Sequence, residues 1–187
     1  KTGLANSSYW REVAERESKR GRGGGEPLAV RLVDIDNFKA VNDRYGHLTG
    51  DDVLRGVATG LTDGLRPRDF VGRFGGEEFV ILLAGSDLEQ ARHTAERVRA
   101  QVAEVTVAAA NRREQVSVTV SVGVAAFRDS GHSVHELLDA ADTALYAAKH
   151  AGRNCVRVAD GARQQVLDLT ADGERLIDLR APRESVE

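Results

Sequence analysis

The run Leu28 to Ile35 is apolar almost throughout, apart from Arg31, and closes in Asp34-Ile35-Asp36. Successive side chains of a strand point to opposite faces, so a run that is apolar at both sets of positions reads as a central strand buried on both sides. The rest of the chain has to supply that cover.

Helical spacing supplies much of it. Tyr9, Trp10, Val13 and Ala14 follow the cap candidates Asn6, Ser7 and Ser8, predicting a short leading helix. It is expected to stop at the glycine-rich residues 21–27, which lack the preceding strand and the Gly-Lys-Ser/Thr of a phosphate loop and read as a linker. Helices are predicted over residues 37–44 and 49–65, the second with Leu54, Ala58, Leu61 and Leu65 on one stripe. Residues 70–74 and 78–83 flank Gly75-Gly76, predicting a hairpin whose two turn positions both accept positive φ. A helix over 87–104 opens with the capping box Ser86-x-x-Glu89, and the last helix opens with Ser133-x-x-Glu136. Between them Val116, Val118, Val120, Val122 and Val124 alternate with small or polar residues, the period of one half-buried strand. A short strand over 155–158 closes the pattern. Strands and helices interleave without regular βαβ repetition, which favours an α+β fold: a central, mostly antiparallel sheet flanked by helices.

Composition narrows the class. The 187 residues, 41% hydrophobic and 29% charged, suit one globular unit. We divide it into a domain over residues 1–160 and a peripheral or flexible tail over 161–187. Apolar runs fall far short of the roughly 20 residues of a membrane span, and no signal-peptide pattern opens the chain. No membrane contact is expected of it. The single cysteine, Cys155, has no partner for a disulfide, which suits a reducing, cytoplasmic setting. A net charge of −3 argues against a nucleic-acid partner. The chain contains no Met and begins at Lys1, so a sensory or regulatory region is expected upstream.

Two acidic clusters stand at strand ends: Asp34 with Asp36, and Glu77 with Glu78 after the glycines. Hard carboxylate oxygens near a strand end, with a backbone carbonyl, are what Mg²⁺ needs when phosphates complete its shell. Taken singly, Asp36 is as well explained as a helix cap, and a glutamate pair on a turn as a solvated surface.

The larger pattern is more specific. Gly75-Gly76-Glu77-Glu78-Phe79, together with Asp34-Ile35-Asp36-x-Phe38-Lys39-x-x-Asn42-Asp43-x-Tyr45-Gly46-His47-x-x-Gly50-Asp51, resembles the GGDEF family of diguanylate cyclases in its GGEEF variant. The resemblance continues through Ser121-Val122-Gly123-Val124, Ala141-Asp142-x-Ala144-Leu145-Tyr146-x-Ala148-Lys149 and Gly152-Arg153-Asn154. It implies a palm-like nucleotide-cyclase fold. It also implies a transferase, specifically a nucleotidyltransferase, condensing two GTP into cyclic di-GMP with release of pyrophosphate as a homodimer.

By the same resemblance, Asp34, the carbonyl of Ile35 and Glu77 match metal-binding positions for two Mg²⁺ ions, or Mn²⁺ in their place. Glu77 and Glu78 match the acidic pair of the signature, and Glu77 is the first candidate for assisting proton removal. Asn42 and Asp51 match guanine-recognition positions. A carboxylate suits the N1–H and N2–H₂ donors of guanine and pairs poorly with adenine. Lys39, Lys149 and Arg153 match phosphate contacts, and Gly75 and Gly76 the backbone that lies against the phosphates. By position alone, Asn42 reads as a helix C-cap, Asp51 as a first-turn acid, and Lys149 and Arg153 as last-turn cations.

Arg66-Pro67-Arg68-Asp69 precedes the hairpin, at a spacing similar to the family's inhibitory Arg-x-x-Asp site for the cyclic di-GMP product; Arg97 matches a supporting arginine. The bland alternative is a surface ion pair. One departure stands at the start: Thr2-Gly3-Leu4-Ala5-Asn6-Ser7 lacks the family's preceding Asp and carries Ser where Arg is expected. The competing readings are a catalytically weak GTP- or cyclic di-GMP-binding sensor module, and a cyclase making a different product, which Asp51 opposes.

Overall fold

The computed structural model describes residues 2–110, 114–127, 132–160, 165–170 and 173–178. Its elements, in order, are β1 (Ala5–Asn6), α1 (Ser7–Gly24), β2 (Leu28–Ile35), α2 (Phe38–Thr62), β3 (Phe70–Arg73), β4 (Glu78–Ala84), α3 (Leu88–Ala103), β5 (Thr106–Ala108), β6 (Gln115–Ser117), β7 (Val120–Phe127), α4 (Val134–His150), β8 (Val156–Asp160), β9 (Gln165–Thr170) and β10 (Gly173–Asp178). The main sheet runs β1-β3-β4-β2-β7-β8-β9-β10, and β5 and β6 form a separate two-stranded ribbon. Pairing is antiparallel except for β1 with β3 and β7 with β8. The α+β class and the helix-flanked sheet are therefore as read from the sequence.

β2 lies inside the sheet, between β4 and β7. Ala29, Val33 and Ile35 join a core with α2 and α3, whereas Val30 and Leu32 join a second core with Trp10 of α1 and Leu138 and Leu145 of α4. Helices thus cover both faces of the strand whose composition demanded it. Trp10 is fully buried, donates from Nε1 to the Phe70 carbonyl at 3.1 Å, and lies flat enough on β3 that a Cβ on Gly72 would stand 2.9–3.1 Å from it.

Several local expectations are corrected. α1 does not stop at Gly21: it continues to Gly24 and ends on Gly25, whose φ of 66° is the left-handed conformation a C-terminal cap requires. The two helices expected over 37–44 and 49–65 are present as the two arms of α2; only the gap between them is missing, because they meet at the non-helical Gly46, φ 81° and ψ 162°. The cap of α3 is Asp87, which accepts from the Gln90 N–H while Gln90 answers; Glu89 pairs with Arg92 instead. The valine alternation is two strands, not one. β6 pairs with β5 away from the main sheet, while the Asp36 N–H donates to the Thr119 carbonyl at 2.9 Å, one step beyond the Ile35–Val120 pair of β2 and β7.

Residues 165–170 and 173–178, beyond the domain boundary drawn from the sequence, pair as a hairpin on the β8 edge. Among the described residues, no helix is long and apolar enough to cross a membrane.

Candidate active site at the β2 and β4 strand ends

Strand register assembles the site. Asp34 pairs with Glu78 of β4 on one side and Ser121 of β7 on the other, and the Ile35 N–H donates to the Glu77 carbonyl at 3.3 Å. The Asp34 and Glu77 carboxyls are near enough for the charge of one to act on the other. Burial holds the Glu77 carboxyl above the usual carboxylate range; the charges of Asp34 and Glu78 add to this and Lys149 opposes it. Lys149, in the last turn of α4, places Nζ 2.8 Å from Asp34 Oδ2.

Crowded carboxylates beside a free peptide edge form a hard-oxygen donor set with surplus negative charge. Among the described residues, no three His, Cys, Asp or Glu side chains converge as a complete metal cage. Asp34, Glu77 and the Ile35 carbonyl are hard oxygen donors of the kind that Mg²⁺ takes when water and substrate phosphate fill most of its positions.

The loop between β3 and β4 differs from the expected two-residue turn. Neither Gly75 nor Gly76 has positive φ. The Phe74 N–H donates to the Glu78 carbonyl at 2.8 Å, and Arg73 bridges the loop, donating from Nε to the Gly75 carbonyl at 3.1 Å and from Nη2 to the Gly76 carbonyl. The glycines leave space: a Cβ on Gly76 would meet nothing within 4 Å, and one on Gly75 would meet the Glu78 carboxylate. Arg73 was not singled out by the sequence; its alternation with the hairpin was the only available signal.

Asp36 is not the cap of α2, which is Asn37. Its buried carboxylate accepts from Thr119 Oγ1 at 2.6 Å, Ser121 Oγ at 2.7 Å and the Asn154 N–H at 3.0 Å. The last of these bonds holds the turn after α4, where Arg153 and Asn154 sit at φ 67° and 46°. Asp36 thus ties the residue after Arg153 to the end of β2.

Lys39 is exposed in the first turn of α2, and Asn42 and Asp51 lie on its two arms, before and after the Gly46 break. Asn42 is inside the helix, not its C-cap. At the far end of β3, the Asp69 carboxylate accepts from the Arg66 N–H at 2.9 Å, and Arg97 donates to the Gly64 carbonyl at 3.3 Å, so α3 reaches the same turn. Beneath it lies buried Arg31, hydrogen-bonded to Thr94. Burial pulls its pKa down to about 10; Asp69 counters this, while Arg97 and Arg66 add to it.

The sequence model described as diguanylate cyclase, GGDEF domain, matches residues 1–155. The chain belongs to the GGDEF family. It is 40% identical over 158 residues to the diguanylate cyclase DosC of Escherichia coli, covering 84% of this chain and 34% of DosC. This GGDEF chain thus spans about a third of that relative's length. The GGDEF domain of DgcB from Caulobacter crescentus, solved with c-di-GMP, superposes with a TM-score of 0.79 at 35% identity, covering 86% of this chain and 90% of that one. The active GGEEF domain of a Vibrio cholerae diguanylate cyclase gives a TM-score of 0.75 at 33% identity, covering 83% and 97%. The GGDEF signature of this chain is the Gly75–Phe79 segment that Arg73 bridges.

Proposed function

We propose that this GGDEF domain is an active diguanylate cyclase that condenses two GTP molecules into cyclic di-GMP. In each half-reaction the ribose 3′-oxygen of one GTP forms a bond to the α-phosphorus of the other, the α–β phosphoanhydride bond breaks, and pyrophosphate leaves. The observation that carries this reading is the meeting of Asp34, Glu77 and Lys149 beside the Gly75-Gly76 backbone, open at Gly76 and flanked by the Glu78 carboxylate at Gly75. Two carboxylates and a cation at a substituent-free loop suit a polyphosphate and its counter-ions.

Asp34, the Ile35 carbonyl and Glu77 would hold Mg²⁺ or Mn²⁺, which when bound neutralises phosphate charge and favours deprotonation of the attacking hydroxyl. Lys39, Lys149 and Arg153 bind the triphosphate, and Lys149 exchanges Asp34 for phosphate as its partner. Gly75 and Gly76 let the phosphates approach the loop backbone. Asn42 and Asp51 read the guanine edge. Glu77 is the first group to receive the hydroxyl proton, and Glu78 tunes it by charge.

One such site holds one GTP, so two copies of the chain face each other across a two-fold axis. Arg66, Asp69 and Arg97 bind the product and inhibit the enzyme; the DgcB complex with c-di-GMP supports a product site in this fold. Residues 1–160 form the catalytic unit and 161–187 a peripheral extension, acting in the cytoplasm under a regulatory region outside this chain. The test is incubation of the purified chain with GTP and Mg²⁺ over a wide dilution series, with product identified by mass. Cyclic di-GMP formed at a rate per chain that rises with concentration is expected. No cyclic di-GMP at any concentration, or constant specific activity from a sedimenting monomer, would remove respectively the chemistry or the two-chain mechanism.

A further inference from the structure

The two arms of α2 touch at Asn42 and Gly50. A Cβ built on Gly50 would overlap Asn42 Oδ1 outright, and would stand 3.0 Å from Asn42 Cγ and 3.3 Å from Phe38 Cζ. The Asn42 carboxamide therefore lies directly on the Gly50 Cα, in the volume any other residue would fill. No backbone requirement explains a glycine there: the non-helical residue inside α2 is Gly46, and Gly50 is buried in ordinary helical conformation. Alanine is the better helix former at such a position. The absent side chain serves its neighbour across the kink.

We infer that Gly50 is a specificity-determining positioning residue: by lacking a Cβ it fixes the Asn42 carboxamide next to the helical turn that bears Asp51, so that the two polar groups read one guanine together. The inference rests on Asn42 being a guanine contact. A hydrogen-bonding group held in one rotamer loses less freedom on binding than one that must be ordered by the ligand. A methyl on residue 50 would swing the carboxamide away while leaving Asp51, the phosphate cations and the carboxylates where they are. The loss should fall on guanine recognition and spare the polyphosphate end.

A double-mutant cycle separates this role from simple packing, because truncating Asn42 empties the space that a residue-50 methyl needs. Binding is measured on the whole chain with Mg²⁺ and 3′-deoxy-GTP or 3′-deoxy-ATP, which lack the attacking hydroxyl and cannot cyclise. Gly50→Ala should weaken 3′-deoxy-GTP about tenfold, the loss of about one hydrogen bond, leave 3′-deoxy-ATP unchanged, and not lower the melting temperature. In an Asn42→Ala background the same substitution should add less than about twofold. Wild-type binding by Gly50→Ala, or an equal loss in both backgrounds, would overturn the inference. So would failure of both the single and the double variant to fold, which would assign Gly50 to packing against Phe38. If Asn42→Ala itself binds 3′-deoxy-GTP as wild type does, the guanine reading of Asn42 fails, and the role of Gly50 falls with it.

Discussion

Gly123→Ala is expected to be among the most damaging single-methyl additions in this protein. Gly123 is in β7, directly beneath α4, and a Cβ there would overlap the Ala141 carbonyl oxygen and the Leu145 nitrogen and stand 2.8 Å from the Leu145 Cα. All three are backbone atoms of a helix, so no rotamer change relieves the overlap. Bringing the Leu145 Cα alone from 2.8 Å to the 3.4 Å of ordinary contact lifts α4 by 0.6 Å, and the two closer atoms demand more. Overpacking that forces backbone displacement costs about 3 kcal/mol, a drop of about 6–12 °C in melting temperature for a chain of this size. The lift also acts on function, because Lys149 lies one turn beyond Leu145 and meets Asp34. The control is Gly60→Ala, half-buried on α2, where the nearest atoms to a new Cβ are the Val102 and Val105 methyls at 3.7 Å, ordinary contact. There the gain in helix propensity should stabilise by about 0.5–1 kcal/mol. Urea unfolding followed by circular dichroism reads both. If Gly123→Ala unfolds within about 0.5 kcal/mol of wild type, α4 does not pack on Gly123 as described.

Glu77→Gln should abolish cyclisation with an unchanged far-ultraviolet spectrum, since it removes the charge proposed to hold the metal from a loop end; unaltered turnover would take Glu77 out of the site. Arg66→Ala should keep the rate measured at low product while raising the cyclic di-GMP concentration needed for half-inhibition by about tenfold; equal inhibition of both proteins would reduce the motif to the turn that Asp69 caps. For Arg31, burial favours the neutral form, so between its folded pKa of about 10 and the higher value of the unfolded chain the unfolded state binds more protons and stability rises with pH. The unfolding free energy of wild type relative to Arg31→Met should therefore improve from pH 9 to 11.5, with Arg31→Met at least as stable as wild type at pH 9. A gap independent of pH would mean that Arg31 is fully ionised throughout.

What could be read in the sequence was what depends on near neighbours. Leu28–Ile35 advertised burial on both faces because its pattern has no polar set, and Ser133-x-x-Glu136 caps α4 with both bonds in place. Adjacent competent residues defeated the same logic at α3: Ser86 and Asp87 can each cap, and the extended backbone at Asp87 selects it. The valine alternation gave no sign of its break, because period alone does not announce that β6 pairs with β5 while β7 pairs with β2. For the site, the carboxylates proposed to hold the metal were picked out by their strand ends and by family resemblance. The work of Asp36 and Arg73 was not legible, since it is to hold Asn154, Thr119 and the glycine carbonyls through contacts that no local motif announces. Gly75-Gly76 was found for a reason that proved incomplete: what the loop uses is bare backbone, not positive φ.

One rung of the sheet, Glu78–Asp34–Ser121 across β4, β2 and β7, also governs which heritable changes the site can survive. Strand side chains alternate, so gaining or losing a single codon within β2 would turn the following residues over and present Val33 or Ile35 where Asp34 belongs, and the same change in β4 or β7 would displace Glu78 or Ser121. Substitutions can be absorbed one at a time along the strands, but length changes cannot. Variation in length is therefore confined to the connections, and the distance along β2 from Leu28 to Asp34 is as much a part of the active site as the carboxylate at its end.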